Sequence, residues 1–307
     1  MTTRTKPLPE PPQSESFVLA RDGTRLYVRR RSGPQPRPEY FDALRAPTAL
    51  LCDGLVCDGY IYRYLWDELA ELMPVAHFHY RGHGRSGLPV DRDQVDVLAH
   101  AADMNAVREQ LGDPEVVLVG HSMGTQVCLE AYRARPERVR ALVLLCGSFG
   151  RVTHTFKGTD VLSSVLPNIQ DFSSKHPRLL RALWARVPVR AAIKLGILTG
   201  DIDPKKIRAE DVEPYFQHAL HVDFALFARM LQASGEHSAQ DLLSQIRVPT
   251  LVVAGSRDTF TPPEVSVAMA EAIPGARLEL ISGGSHILPL EERERVGQLL
   301  RDFLATL

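Results

Sequence analysis

A Gly-x-Ser-x-Gly pentapeptide, Gly120-His121-Ser122-Met123-Gly124, stands between an apolar run at 116–119 and a stretch of helical pattern. A serine in a tight turn between a strand and a helix is held in a strained backbone conformation that exposes its hydroxyl. The positions two before and two after it must be small, and both are glycine. The amide of Met123, at the start of the helix, is expected to point at negative charge that develops on a substrate. The pattern predicts that Ser122 is a nucleophile.

A serine hydroxyl needs a neighbouring base, and an acidic group that holds that base in one tautomer. His286, in Gly284-Ser285-His286, and Asp258, in Gly255-Ser256-Arg257-Asp258, each follow a predicted strand. Loops at the carboxyl ends of strands collect at one edge of an open α/β sheet. We therefore expect Ser122, Asp258 and His286 to meet. The alternatives are a helix-capping role for Asp258 and a surface position for His286.

Strands and helices alternate along much of the sequence. Candidate strands are Thr48–Cys52, Val75–Tyr80, Glu115–Val119, Ala141–Cys146 and, later, Leu251–Ala254 and Arg277–Ile281. Candidate helices are Tyr62–Leu72, Val95–Leu111, Thr125–Arg135 and Glu291–Leu304. Unbroken apolar runs are typical of strands covered on both faces. The order predicts an α/β fold with a mostly parallel, doubly wound sheet.

The alternation stops near Ser148 and returns at Val248. Between these points the pattern is helical, notably over Arg178–Arg186, Val212–Ala233 and Ser238–Ile246. We expect a polar, proline-rich, disordered leader at 1–16, a core at 17–148 and 247–307, and a helical cap at 149–246. Thr261-Pro262-Pro263-Glu264 has the pattern of a capping box and predicts a helix that ends at Ala272.

Composition excludes several classes of protein. Of 307 residues, 44% are hydrophobic and 24% charged, which is typical of a soluble globular chain. A net charge of -1 gives no bulk attraction to nucleic acid or anionic membranes. No run is long and apolar enough to predict membrane insertion, and the leader lacks the apolar core of a signal peptide. The four cysteines form no C-x-x-C pair and are expected to be buried free thiols, which favours a cytoplasmic location.

No cofactor or metal site is predicted. The segment Gly82-His83-Gly84-Arg85-Ser86-Gly87 lacks the helix start and acidic partner of a dinucleotide fingerprint. His218 and His221 lie three apart on a predicted helix, but no third ligand accompanies them. His121 and His83 are expected to support loops.

With these motifs, and with Arg81-Gly82-His83-Gly84-Arg85-Ser86, the chain resembles the α/β-hydrolases of the capped lipase/esterase and haloperoxidase-like branch. The resemblance runs from about 17 to 304 and is closest at 48–147 and 247–304. It implies the order serine, acid, histidine. No acidic residue follows the strand at 141–146, where this fold can also supply its acid, and this favours Asp258.

The resemblance also implies an oxyanion hole made by two amides. The second donor comes from the loop after the strand Thr48–Cys52, where the family commonly has His-Gly before the donor. Here the loop reads Asp53-Gly54-Leu55, so Leu55 is the expected donor beside Met123. Asp53 is one departure from the family pattern. His79 is another, because the family usually has Asp ahead of the Arg-Gly motif.

The expected reaction is hydrolysis of a carboxylic ester, or a related acyl bond, of a small to medium apolar substrate through an acyl-enzyme. Carbon–carbon hydrolases and cofactor-free perhydrolases resemble the chain and keep the serine, so they stay open. A non-catalytic ligand-binding hydrolase fold is the alternative from another class. Aromatic residues of the cap are candidates to line the substrate pocket: Phe149, Trp184, Phe216 and Phe227. The sequence leaves the oligomeric state and the physiological substrate open.

Overall fold

The computed structural model describes residues 13–33, 46–155, 160–184 and 186–307. Most of the predicted leader lies outside this part of the chain. Its last four residues, 13–16, belong to a strand that runs from Gln13 to Leu19, because they pair in antiparallel register with Arg31 to Val28. The core therefore begins before the predicted boundary at 17.

The strands within the described residues form one eight-stranded sheet in the order β1-β2-β4-β3-β5-β6-β7-β8. Their bounds are β1 Gln13–Leu19, β2 Arg25–Arg31, β3 Thr48–Cys52, β4 Val75–Phe78, β5 Val116–His121, β6 Val139–Leu145, β7 Thr250–Gly255 and β8 Arg277–Ile281. The two pairs that involve β2 are antiparallel, and the remaining five are parallel. The predicted mostly parallel α/β sheet is confirmed.

Helices connect these strands. Within the described residues they are α1 Leu65–Ala70, α2 Val97–Gln110, α3 Met123–Ala134, α4 Val152–Thr155, α5 Val161–Lys175, α6 Pro177–Trp184, α7 Val189–Leu198, α8 Ala209–His221, α9 Phe224–Glu236, α10 Gln240–Leu243, α11 Pro263–Ala272, α12 Leu288–Glu291 and α13 Arg293–Leu304. Helices α4 to α10 all lie between β6 and β7, where the helical insertion is predicted.

The central strands are buried on both faces, and alternate residues enter different cores. In β5, Val116 and Leu118 pack with α2 and α3, whereas Val117 and Val119 pack with α1 and α13. Side chains of a strand alternate between faces, so an unbroken apolar run is needed when both faces are covered. This packing fixes the carboxyl end of β5, where Ser122 follows.

Two local predictions are wrong. The helix predicted over 212–233 is broken between α8 and α9, because the Asp223 side chain accepts the amides of Ala225 and Leu226 and starts a new helix. The capping box at 261–264 does not form. Pro262 precedes α11 without a side-chain cap, and the Thr261 hydroxyl contacts Asp258 and the Cys146 carbonyl.

Candidate active site

Ser122 sits in the turn that joins β5 to α3, with φ 56° and ψ -122°. Residues other than glycine seldom adopt this backbone conformation, so the turn is strained as predicted. A Cβ at Gly120 would lie 2.4 Å from the Gly124 carbonyl oxygen, and one at Gly124 would lie 2.2 Å from the Cys52 carbonyl oxygen. Only glycine therefore fits on either side of the serine.

The loops after β5, β7 and β8 bring three side chains into one hydrogen-bonded row. The Ser122 hydroxyl lies 3.0 Å from Nε2 of His286, and Nδ1 of His286 lies 2.9 Å from Oδ2 of Asp258. The Asp258 side chain is fully buried, and the His286 ring is 14% exposed. The structure thus places together the three residues that the sequence singles out.

The surroundings of Asp258 fix the direction of the hydrogen bonds. Its Oδ1 accepts the amides of Phe260 and Thr261, each at 2.9 Å. A carboxylate only accepts, so Nδ1 of His286 carries the hydrogen in this network and Nε2 is left to accept the Ser122 hydroxyl. Asp258 therefore sets the tautomer that a general base requires.

The main chain around His286 is held by buried groups. Nε2 of His121 donates to the His286 carbonyl at 2.9 Å, which confirms a loop-supporting role for His121. Burial lowers the pKa of His121 to about 3, so its ring is neutral near pH 7. Glu291 accepts the Ser285 amide at 2.7 Å, and the Phe260 ring stacks on His286 with centroids 4.9 Å apart.

Sequence reasoning misses Phe260 and Glu291 as neighbours of the site. Glu291 stands at the start of a predicted helix and reads as a solvated helix residue, yet it is buried and accepts the Ser285 amide. For Phe260 a signal exists, because it lies only two residues after Asp258 in a loop that must approach His286.

The loop after β3 lies against Ser122. A Cβ at Gly54 would be 3.0 Å from Cβ of Ser122, so the backbone passes close to the nucleophile position. Leu55 follows directly, and Met123 is the first residue of α3. Two tyrosine hydroxyls hold the loop: Tyr62 donates to the Cys52 carbonyl at 2.6 Å, and Tyr80 donates to the Asp53 carbonyl at 2.7 Å.

The side chain of Asp53, the first residue of this loop, is buried. Its Oδ2 lies 2.7 Å from Nε2 of His77 on β4, and the burial of the carboxyl group raises its pKa to about 7. At the loop position where the family commonly has His, this chain thus has a carboxyl group that contacts an imidazole on the neighbouring strand. His79 stands where the family usually has Asp. Its Nδ1 accepts the Arg85 amide at 2.9 Å, and burial lowers its pKa to about 2.

The predicted pocket aromatics separate into two groups. Phe149 and Phe227 pack on the core cluster that includes Met123 and Met230, and the Trp184 ring lies 6.2 Å from that of Phe227. Phe216 instead packs with the other cluster, beside Ile202 of the insertion. Trp184 and Phe227 thus lie together, and Phe149 packs on the same cluster as Phe227, whereas Phe216 packs on the cluster that contains Ile287 and Leu288.

His218 and His221 do not converge on a shared ligand position. His221 contacts the Gln217 carbonyl, whereas Nδ1 of His218 lies 3.8 Å from Asp58. Within the described ranges, no group of three or more His, Cys, Asp or Glu side chains is arranged to hold a metal ion. The four cysteines are buried free thiols, as expected. None of the described helices is both long and apolar enough to cross a bilayer.

The geometry can be compared with known proteins. A profile of the alpha/beta hydrolase fold matches residues 47–186 and 208–293 of this chain. The chain belongs to the α/β-hydrolase family. An esterase from Exiguobacterium antarcticum is 25% identical and superposes with a TM-score of 0.69, covering 95% of this chain and 99% of that structure.

Two curated relatives of this α/β-hydrolase differ widely in length. The polyketide synthase ThaQ of Burkholderia thailandensis is 29% identical over 87% of this chain, which spans only 12% of that protein. A proline iminopeptidase of Lactobacillus delbrueckii subsp. lactis is 27% identical over 85% of this chain and 90% of the relative. The sequence resemblance to the family is thereby confirmed.

Proposed function

We propose that this protein is a serine hydrolase that cleaves a carboxylic ester, or a related acyl bond, of a small to medium apolar substrate. The observation that carries the proposal is the row Ser122–His286–Asp258, with contacts of 3.0 and 2.9 Å, placed at a strained turn. Membership of the α/β-hydrolase family and the likeness to an esterase support it.

In the proposed reaction, the Ser122 oxygen attacks the carbonyl carbon while Nε2 of His286 takes the hydroxyl proton. The amides of Leu55 and Met123 stabilise the oxyanion that forms. When the carbon–oxygen bond to the leaving group breaks, His286 returns the proton to the departing alcohol. Water, deprotonated by His286, then attacks the acyl-enzyme, and Ser122 recovers its proton as the acid leaves.

The helical insertion at 149–246 is proposed to cover the site as a cap. Phe149 and Phe227 are half-buried against the core cluster that also contains Met123, and the ring centroids of Phe227 and Trp184 lie 6.2 Å apart. An apolar lining of this kind favours an apolar acyl or aryl group. Phe216 packs on the second cluster, which contains Ile287 and Leu288 directly after His286, and it stays a candidate for the pocket.

A fluorophosphonate probe tests the nucleophile directly, since it modifies only an activated serine. We expect one adduct on Ser122, located by mass spectrometry, and none in Ser122→Ala. The matched control is Ser164→Ala on the exposed face of α5, which should label like the wild type. With p-nitrophenyl esters of graded chain length, Ser122→Ala should lower kcat by roughly 10⁴-fold or more. An unlabelled wild-type protein would favour a non-catalytic ligand-binding fold.

A further inference from the structure

One segment of the insertion contains basic residues without acidic ones. Residues 172–200 contain six basic side chains and no acidic one, in a chain whose net charge is -1. The basic residues are Lys175, Arg178, Arg181, Arg186, Arg190 and Lys194, of which Lys175 forms an ion pair with Asp171 at 2.6 Å, just outside the segment. A local excess of this size attracts anions even though the whole chain does not.

The same segment exposes large apolar side chains. Fifteen such side chains are exposed among the described residues, and seven of them fall within 172–200. They are Phe172, Leu179, Leu183, Val187, Leu195, Ile197 and Leu198. Single exposed leucines are ordinary on a protein surface, but a concentration of them marks an interaction site.

Helix α6 is held to the insertion by one face. The half-buried Trp184 ring packs on Phe224 and Phe227, and its Nε1 donates to the Ala219 carbonyl at 3.1 Å. Leu179 and Leu183 lie four residues apart, on one face of the helix, and are 51% and 55% exposed. These two leucines therefore stay exposed although α6 packs on the rest of the insertion.

Helix α7 repeats this arrangement. Ile193 is buried, and the helix packs on α8. Lys194 is exposed, as are its neighbour Leu195 at 60% and Leu198 at 84%. Exposed cations and exposed apolar side chains thus lie side by side, which is typical of a helix that binds at a membrane surface.

We infer that the segment 172–200 of the insertion is a docking surface for an anionic lipid bilayer. A bilayer offers both features at once, with negative headgroups for the cations and an apolar interior for the leucines. A second copy of the same surface fits poorly, because two segments that each hold six basic residues and no acidic one repel each other. Helices α6 and α7 have 8 and 10 residues, well short of the roughly 20 that span a bilayer, so they would lie along its surface.

Vesicle co-sedimentation tests the inference without any substrate. Vesicles of phosphatidylcholine alone are compared with vesicles of phosphatidylcholine and phosphatidylglycerol in equal amounts. We expect binding to the mixed vesicles only, and weaker binding as the salt concentration rises. Ser122→Ala should bind equally well, so a failed proposal for the reaction would leave this result intact.

Two double variants locate the surface. Arg190→Glu with Lys194→Glu should lower the partition coefficient by at least about 25-fold, because each basic residue near an anionic surface contributes about fivefold. The matched control, Arg92→Glu with Arg295→Glu, changes the net charge equally at exposed positions outside the segment and should bind almost as well as the wild type. Leu195→Ser with Leu198→Ser should weaken binding even at low salt.

Several results would overturn the inference. One is a wild type that fails to bind mixed vesicles at low salt, and another is a wild type that binds both kinds of vesicle equally. Equal losses of vesicle binding in the two charge-reversal variants would also contradict it. Sedimentation velocity supplies another: if the two leucine substitutions convert a dimer to a monomer and leave vesicle binding unchanged, the surface serves self-association.

Discussion

Replacing Asp258 by Asn changes one atom of the site and reverses its hydrogen bond with His286. The Asn oxygen is expected at the Oδ1 position, because two main-chain amides, those of Phe260 and Thr261, donate there. The amide group then occupies the Oδ2 position, 2.9 Å from Nδ1 of His286. Since that group is a donor, Nδ1 must accept, and the hydrogen moves to Nε2.

The size of the effect follows from this change of tautomer. With a hydrogen on Nε2, His286 donates toward the Ser122 hydroxyl and is unable to take its proton. Loss of the correct tautomer in a serine–histidine–aspartate site lowers kcat by about 10⁴-fold, which corresponds to about 5 kcal/mol of transition-state stabilisation. The free energy of unfolding should change little, because the two main-chain bonds to Oδ1 are kept and the Thr261 hydroxyl, which contacts Oδ2, can donate to the Cys146 carbonyl instead.

The assay is the steady-state hydrolysis of a p-nitrophenyl ester, with the rate of fluorophosphonate labelling measured in parallel. Asp302→Asn, on the exposed face of α13, is the matched control and should keep full activity. A kcat for Asp258→Asn within tenfold of the wild type, in a protein that unfolds at the same temperature, would refute the reasoning. Asp258 would then have only a structural role.

Two further predictions concern stability. Gly124→Ala places a Cβ 2.2 Å from the last carbonyl oxygen of β3 and should lower the free energy of unfolding by about 1–3 kcal/mol in urea titrations. The control, Gly87→Ala, has its nearest contact at 3.6 Å and should leave this free energy unchanged. Burial lowers the pKa of His83 to about 4 and that of His121 to about 3, both below the unfolded value of about 6.5. Their contribution to the free energy of unfolding is therefore complete above pH 6.5 and is lost as the pH falls toward 4. Asp53, with a pKa raised to about 7, opposes this trend, as do Asp58 and Asp103, whose pKa values burial also raises. These three carboxyl groups are outweighed by six imidazoles with lowered pKa values, those of His77, His79, His83, His100, His121 and His218. The urea midpoint should therefore be lower at pH 5 than at pH 7, and an equal midpoint would contradict this prediction.

The sheet could be predicted because its central strands are buried on both faces. Val116 to Val119 form an unbroken apolar run, and four such residues directly before a glycine are typical of a buried strand that ends in a turn. The meeting of Ser122, Asp258 and His286 was also predictable, since each follows a parallel strand and the carboxyl ends of such strands share one edge.

Other features depend on contacts between distant residues and could not be predicted. The apolar period of 212–233 continues through the break at Asp223, so the pattern alone gives no reason to divide the helix. Asp53 is recognisable as a departure from the family, but its partner, His77, lies on another strand and is revealed only by the register of β3 and β4. The different location of Phe216 likewise reflects packing within the insertion.

The position of β8 affects how the protein loses activity in denaturant. Among the described strands, β8 lies at one margin of the sheet, pairs only with β7 and is more exposed than β7. The imidazole of the site follows this outermost strand, whereas the hydroxyl follows an interior one. Local unfolding of β8 alone would displace the imidazole and leave the rest of the fold intact. Denaturant should therefore abolish turnover before circular dichroism shows any loss of helix.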